Sequence, residues 1–434
     1  MTNIALVERH SRKAPVRLAV AAIALLASTL ALTVAAGPAQ AATGRAYVLN
    51  GGSNTVSVID TATNAVVATI DVGTSPTGVA VAPDGATVYV TNVGSFTVSV
   101  IDTATNAVIA TVGVGAFPSG AVVTPDGTAV YVTNTGSGTV SVIDTATNTV
   151  TATIPTGAGA FGVDITPDGT TVYVTNNTTA TVSVIDTATK TVTATIPVDL
   201  SPNGLAVTPD GARVYVTNNG SGTVSVIDTV TNGVTTTIPV GANPSGAAVT
   251  PDGSAVYITN FSGDSVSVID TATNAVSATI PVGLAPIGVA FTSDGATAYV
   301  ANYGAGTVSV VDTATGSVIA TVAVGDFPFG VAIASGGAPP ADTALSCTRG
   351  TNRRGIPVDI CRITDTDGIR TVHIRNTATN QQQTALEFVC SDAPGSVGFT
   401  VPAGTKYKVS VTDCDTPRNK TTFVIRAQGD VNEV

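Results

Sequence analysis

Between Ala42 and Pro340 the chain has no histidine, cysteine, glutamate or tryptophan, and its only cationic residues there are Arg45, Lys190 and Arg213. These absences limit chemistry. Without His, Glu or Cys, nucleophile-and-base pairs would have to be assembled from Asp, Ser, Thr and Tyr alone, so no catalytic residue and no cofactor is expected in that span. The protein reads as a non-enzyme. Aromatics make up only 4% of the 434 residues, tryptophan is missing altogether, and the single methionine is the first residue. A core must therefore come from Val, Ala, Ile and Thr, which favour strands, and the 44% apolar content is ample for one.

The two ends differ from the middle. Residues 1–41 read as a secretory signal peptide, with Arg9, Arg12, Lys13 and Arg17 ahead of an apolar run from Leu18 to Ala36 and a small-x-small site at Ala39-Gln40-Ala41. The mature chain is then expected to be secreted, extracellular or associated with the cell wall, with no membrane contact after cleavage. All four cysteines, Cys347, Cys361, Cys390 and Cys414, lie in the last stretch, and an even number in an exported chain predicts two disulfides. Pairing Cys347 with Cys361 and Cys390 with Cys414 closes the shortest loops. A four-thiolate zinc site would be the rival, but the close C-x(2-4)-C pairs of such sites are missing.

The middle is a repeat. Tyr47, Tyr89, Tyr131, Tyr173, Tyr215, Tyr257 and Tyr299 stand 42 residues apart and mark seven equal units. In the second unit the strand-like runs are 78–85, 87–92, 97–106 and 107–115. Four short strands at this period are the signature of propeller blades. The phrase YVTN, followed by TVSVIDTATN and a P-D-G turn, resembles the YVTN family of β-propeller repeats found in secreted and surface-layer proteins. That resemblance spans all seven units and implies a propeller in an extracytoplasmic setting, though the family has no single assigned activity. Unit one departs with YVLN, unit six with YITN and unit seven with YVAN.

The fold class expected is all-β: a seven-bladed propeller of four-stranded blades over 42–340, then a small disulfide-stapled β-sandwich over 341–434. The chain enters the repeat at a second strand and leaves it after an inner-type strand, Phe329 to Ala334. The late run should therefore complete the blade that the early run begins.

Charge separates the regions: the propeller span holds 18 Asp, no Glu and 3 basic residues, whereas 341–434 holds 10 acidic and 11 basic residues. The first should repel nucleic acid. In the second, Arg349, Arg353, Arg354, Arg362, Arg370 and Arg375 could hold an anionic wall polymer, with a solvated strand surface as the plainer account. The repeated Asp residues read as turn formers and not as metal ligands, because no loop gathers several of them. His373 and the fragment Asp365-Thr366-Asp367-Gly368 read as parts of strand and turn.

Any function should lie where the repeats disagree. Loops joining the first to the second strand and the third to the fourth carry the near-uniform PDG and DTATN turns. The other loops vary, and they gather Phe96, Phe117, Phe161, Phe261, Phe327, Phe329 and Tyr303, with Asp264 and Asp326 among them. This makes a candidate binding face for a protein or cell-wall polymer. The alternative for the rings is a plug in the channel mouth. A lactonase-type hydrolase and a structural surface-layer component are the other roles considered. The sequence names neither ligand nor oligomeric state.

Overall fold

A computed structural model describes residues 44–334 in full and, between Ala344 and Glu433, the backbone of eight further strands. The expected signal segment, the Ala338-Pro339-Pro340 boundary, Cys390 and Cys414 lie outside the described residues. Seven four-stranded antiparallel sheets form the repeat region, one per 42-residue unit. In blade two the strands run Pro76–Val81, Thr87–Asn92, Thr97–Asp102 and Ala107–Gly113 from inside to outside.

Burial follows position in the blade. The second and third strands are buried at nearly every residue on both faces, whereas the outer strand is exposed at all but one to three. Two-sided burial explains why alternation is absent from TVYVTN and TVSVID: both faces meet another blade. Each apolar cluster indeed joins neighbours, as when Tyr47, Leu49, Val56 and Val58 of blade one pack with Val88, Val90 and Ile101 of blade two. Fully burying a Val or Ile side chain is worth ~1.5–3 kcal/mol, so the ring is held by its interfaces.

The letters of YVTN divide this work. In three blades the tyrosine hydroxyl reaches into the next blade: Tyr173 donates to Asn232 Oδ1 at 3.3 Å, Tyr215 to Asn274 Oδ1 at 2.8 Å and Tyr299 to Asn64 Oδ1 at 2.6 Å. The threonine is a latch between blades. Thr217 Oγ1 accepts the N–H of Gly204 in its own inner strand at 2.9 Å and donates to the Ser245 carbonyl of the next inner strand at 2.7 Å. Thr91, Thr133, Thr175 and Thr259 repeat the arrangement. The asparagine ties the second strand to the third, Asn50 Nδ2 donating to Thr55 and Ser57 hydroxyls.

Inner strands come so close that only glycine fits at their third residue. A Cβ at Gly120 would stand 2.6 Å from the Phe161 carbonyl oxygen of the next blade.

The ring closes as expected from its phase. Pro328–Ala334 is the inner strand of the blade whose other strands are Arg45–Asn50, Thr55–Asp60 and Ala65–Asp71. Its register sets Arg45 opposite Ala334 and Val48 opposite Val331. This closing blade is the one whose two interfaces lack the threonine latch, because Leu49 and Ala301 occupy the latch position there.

The eight later strands make a three-stranded sheet, Ala344–Thr351, Pro357–Asp365 and Gly395–Pro402, and a five-stranded sheet ordered Gln382–Glu387, Ile369–Asn376, Tyr407–Asp413, Lys420–Ile425 and Val431–Glu433. Backbone register places Cys347 directly opposite Cys361 and sets His373 between Ala385 and Ser410.

Candidate functional site

Two faces with different chemistry result. On the first, the amide of Thr103 donates to the Ala86 carbonyl at 3.0 Å, setting the TATN turn beside the PDG turn. Its carboxylates are already engaged. Asp102 Oδ1 accepts the hydroxyl and amide of Thr105 at 2.6 and 2.8 Å, and the same bonds recur at Asp144, Asp186, Asp228, Asp270 and Asp312. The Thr105 hydroxyl, more than any other cause, holds Asp102 below its ordinary pKa. Among the described residues no three His, Cys, Asp or Glu side chains approach closely enough to hold a metal ion.

On the second face the amide of Val93 donates to Ser75 O and that of Val114 to Phe96 O, so the two variable loop sets lie side by side. Both sets turn through left-handed backbone. The residue before the inner strand has φ near +50° at Ser75, Phe117, Ser201, Asn243, Ala285 and Phe327, and +79° at Gly159. The last residue of the other loop does the same at Asn54, Phe96, Gly138, Ala180, Gly222, Asp264 and Gly306.

Glycine and asparagine suit this conformation, and phenylalanine does not. Phe96, Phe117 and Phe327 adopt it with 41%, 50% and 50% of their surface exposed. A left-handed residue costs roughly 1–2 kcal/mol, a cost comparable to what the half-buried rings gain, while the exposed half of each ring stays in water. Two of the rings lie against a glycine: a Cβ at Gly52 would stand 2.6 Å from Phe327 Cδ2, and one at Gly136 would run into Phe117.

The rings form two groups. Phe96 and Phe117 meet edge to face with centroids 5.1 Å apart. In the other group Tyr303 stacks on Phe327 at 5.0 Å and 26°, with Phe261 at 6.2 Å and Phe329 at 6.4 Å from it. Asp264 joins this second group through its Oδ1, which accepts the Ala285 amide at 2.8 Å, while the Ala285 carbonyl accepts the amide of Tyr303 at 3.0 Å. Asp326 is exposed, and its carboxylate makes no hydrogen bond among the described residues.

Phe161 and Phe329 are not loop residues. They are the second residues of inner strands Ala160–Ile165 and Pro328–Ala334, which begin at the residue after the left-handed turn, two positions before the glycine. Both line the central channel, a space of about 210 Å³, together with Thr77, Ser119, Asn203, Ser245 and Ile287 at the matching positions. The plug account therefore fits these two rings and not Phe96, Phe117 or Phe327.

Sequence reasoning also passed over Asp164, which stands in the inner strand where other blades have Ala or Val. Its two oxygens accept the amides of Ile165 and Val207 at 2.8 Å, and desolvation nevertheless raises its pKa to about 6. Its one signal was being the only acidic residue inside an inner run. A second space, about 400 Å³, opens between blades three and four and is lined by Thr156, Asn176, Thr181 and Ser183 with no titratable group.

Seven four-stranded sheets closed by the chain's two strand runs define a seven-bladed β-propeller. The family model for YNCE-like β-propellers matches residues 112–253. That partial match and the seven-bladed ring fit a β-propeller repeat protein of the YVTN type. No curated protein matches it.

Among solved structures, a protein of unknown function from Desulfotomaculum acetoxidans is similar at 19% identity and TM-score 0.59, over 67% of this chain and 99% of that one. A Bacteroides uniformis protein provisionally named a 6-phosphogluconolactonase is similar at 16% and 0.57, over 67% and 99%. Hydrazine synthase of Kuenenia stuttgartiensis is similar at 22% and 0.55, over 73% and 96%. At these identities the likeness is one of fold. Among the described residues no helix is long and apolar enough to cross a membrane.

Proposed function

We propose that the protein is a secreted, non-enzymatic binding scaffold that engages a protein or polymer of the cell envelope through its variable-loop face. One observation carries the reading. Phe96, Phe117 and Phe327 are exposed and held at φ of +53° to +56°, where other blades place Gly, Asn, Ser, Ala or Asp. These rings cost the fold conformational strain and leave apolar surface in water, so a partner that covers them is the natural account of their presence.

The residue inventory supports a role without catalysis. The channel positions of Thr77, Ser119, Phe161, Asn203, Ser245, Ile287 and Phe329 supply hydroxyls, an amide and apolar groups, but no base. The later strands belong to the same reading as a small β-sandwich, with Cys347 and Cys361 placed in register for one of its two disulfides.

The test is cosedimentation of the mature protein with envelope fractions of its source cells. Wild type should pellet, and the variant carrying Phe96→Gly, Phe117→Gly and Phe327→Gly should stay in solution. Equal pelleting of the two would remove the face from consideration, and hydrolysis of a lactone panel by wild type would restore the enzymatic alternative.

A further inference from the structure

The two faces also differ in unspent charge. The propeller's cations all lie at the PDG face: Arg45 begins a strand opposite Asp60, Lys190 sits in a TATK turn, and Arg213 Nη1 donates to the Thr271 carbonyl at 2.6 Å. No cation of the described propeller lies at the variable face, whose acids are Asp71, Asp199, Asp264 and Asp326.

Of these, Asp199 Oδ2 accepts the Thr223 hydroxyl and Asp264 Oδ1 the Ala285 amide, leaving the carboxylates of Asp71 and Asp326 and one oxygen each of Asp199 and Asp264 without a hydrogen bond among the described residues; Asp71 ends the outer strand of blade one. Two of these carboxylates stand in the loops of the larger aromatic group, Asp264 in the loop that begins at Phe261 and Asp326 directly before Phe327, the ring that stacks on Tyr303. The loops that carry and adjoin Phe96 and Phe117, residues 93–96, 114–117 and 135–138, hold no acidic residue; their polar side chains are Ser95, Thr135 and Ser137.

Ring faces are electron-rich, and carboxylates beside them select for a cation with an apolar stem. We infer that the group built on Tyr303 and Phe327, with Asp264 and Asp326 at its edge, binds a basic polypeptide segment whose Arg or Lys heads lie over the rings and pair with the two carboxylates. This rests on the reading of the variable face as the binding face and names the partner's chemistry. A neutral glycan could also stack on the rings but would leave the carboxylates without a role, and an anionic wall polymer would be repelled by them.

Fluorescence anisotropy of a labelled arginine octapeptide, titrated with the full mature chain at physiological ionic strength, tests it. Phe327→Gly keeps the backbone conformation and removes the ring, and should weaken binding about three- to tenfold. Asp326→Asn should weaken it about two- to fivefold. Asp252→Asn, on the opposite face, should leave it unchanged.

If Phe327→Gly binds like wild type, or Asp252→Asn loses as much as Asp326→Asn, the peptide is held by net charge alone and the inference fails. It fails too if chitohexaose binds at this face and the arginine peptide does not. Either failure, set beside envelope binding that still requires the three phenylalanines, would leave the broader reading of the face standing.

Discussion

The two faces of the propeller share one backbone plan and use it differently. At the PDG face the same residues recur in blade after blade, and nearly every polar group is spent on the turn itself, as Asp102 is on Thr105. At the opposite face the backbone is just as regular, with left-handed residues at matching positions in all seven blades, yet the side chains there range from Gly to Phe. Uniform side chains mark where the fold sets the requirement. Variable ones on uniform backbone mark where the fold asks only for a conformation, and there a residue that suits that conformation badly has another reason to be present.

Alkaline titration gives the largest way to sharpen this contrast. The hydroxyls of Tyr173, Tyr215 and Tyr299 tie the core to the TATN-type turns of the neighbouring blade, and burial, before any nearby carboxylate, raises all seven repeat phenols above their ordinary 10.0, Tyr299 to about 12. A folded pKa above the unfolded one gives stability that is complete below pH 10 and lost as pH rises through the folded value. The melting temperature should therefore be flat from pH 7 to about 9.5 and fall steeply between about 10 and 12. An alkaline plateau would mean that the hydroxyls are not buried partners of the turns. The turn aspartates act with opposite sign: their lowered pKa values give stability present above about 4 and lost as pH falls below it.

A smaller effect separates latched from unlatched interfaces. Thr217→Ala leaves the Gly204 amide and the Ser245 carbonyl without their partner and should cost about 1–3 kcal/mol, seen as several degrees of melting temperature. Ala301→Thr builds the missing latch between blade seven and the closing blade and should raise stability by about 1 kcal/mol. If Thr217→Ala is silent in calorimetry, the threonine is not what couples adjacent inner strands.

Much of the fold could be read in the sequence because all seven units have the same length, so the phase of the repeat alone shows which strand is surplus and which is missing. The role of the YVTN threonine could not be read that way. Its two partners lie 13 residues before and 28 residues after it, in two different inner strands. The departures Leu49 and Ala301 were visible in YVLN and YVAN, but their consequence, two unlatched interfaces flanking the closing blade, needed the geometry.

The candidate face was legible as a set of variable loops. Its left-handed positions were not, because Ser75, Phe117, Gly159, Ser201, Asn243, Ala285 and Phe327 share a conformation and no residue type. The same turn put Phe161 and Phe329 in the channel, since it starts the inner strand before the glycine that seemed to begin it.

The central claim is that the exposed phenylalanines serve a partner at the expense of the fold. Its most direct test is the thermal melt of the Phe96→Gly, Phe117→Gly, Phe327→Gly variant without any ligand. Glycine accepts the positive φ at all three sites and removes exposed apolar surface, though it adds unfolded-state entropy of about 0.5–1 kcal/mol per site. With roughly 1–2 kcal/mol of strain relieved at each against a similar loss from the buried half of each ring, the melting temperature should change by no more than a few degrees. A fall of more than a few degrees would show that the rings stabilise the propeller and would contradict the account.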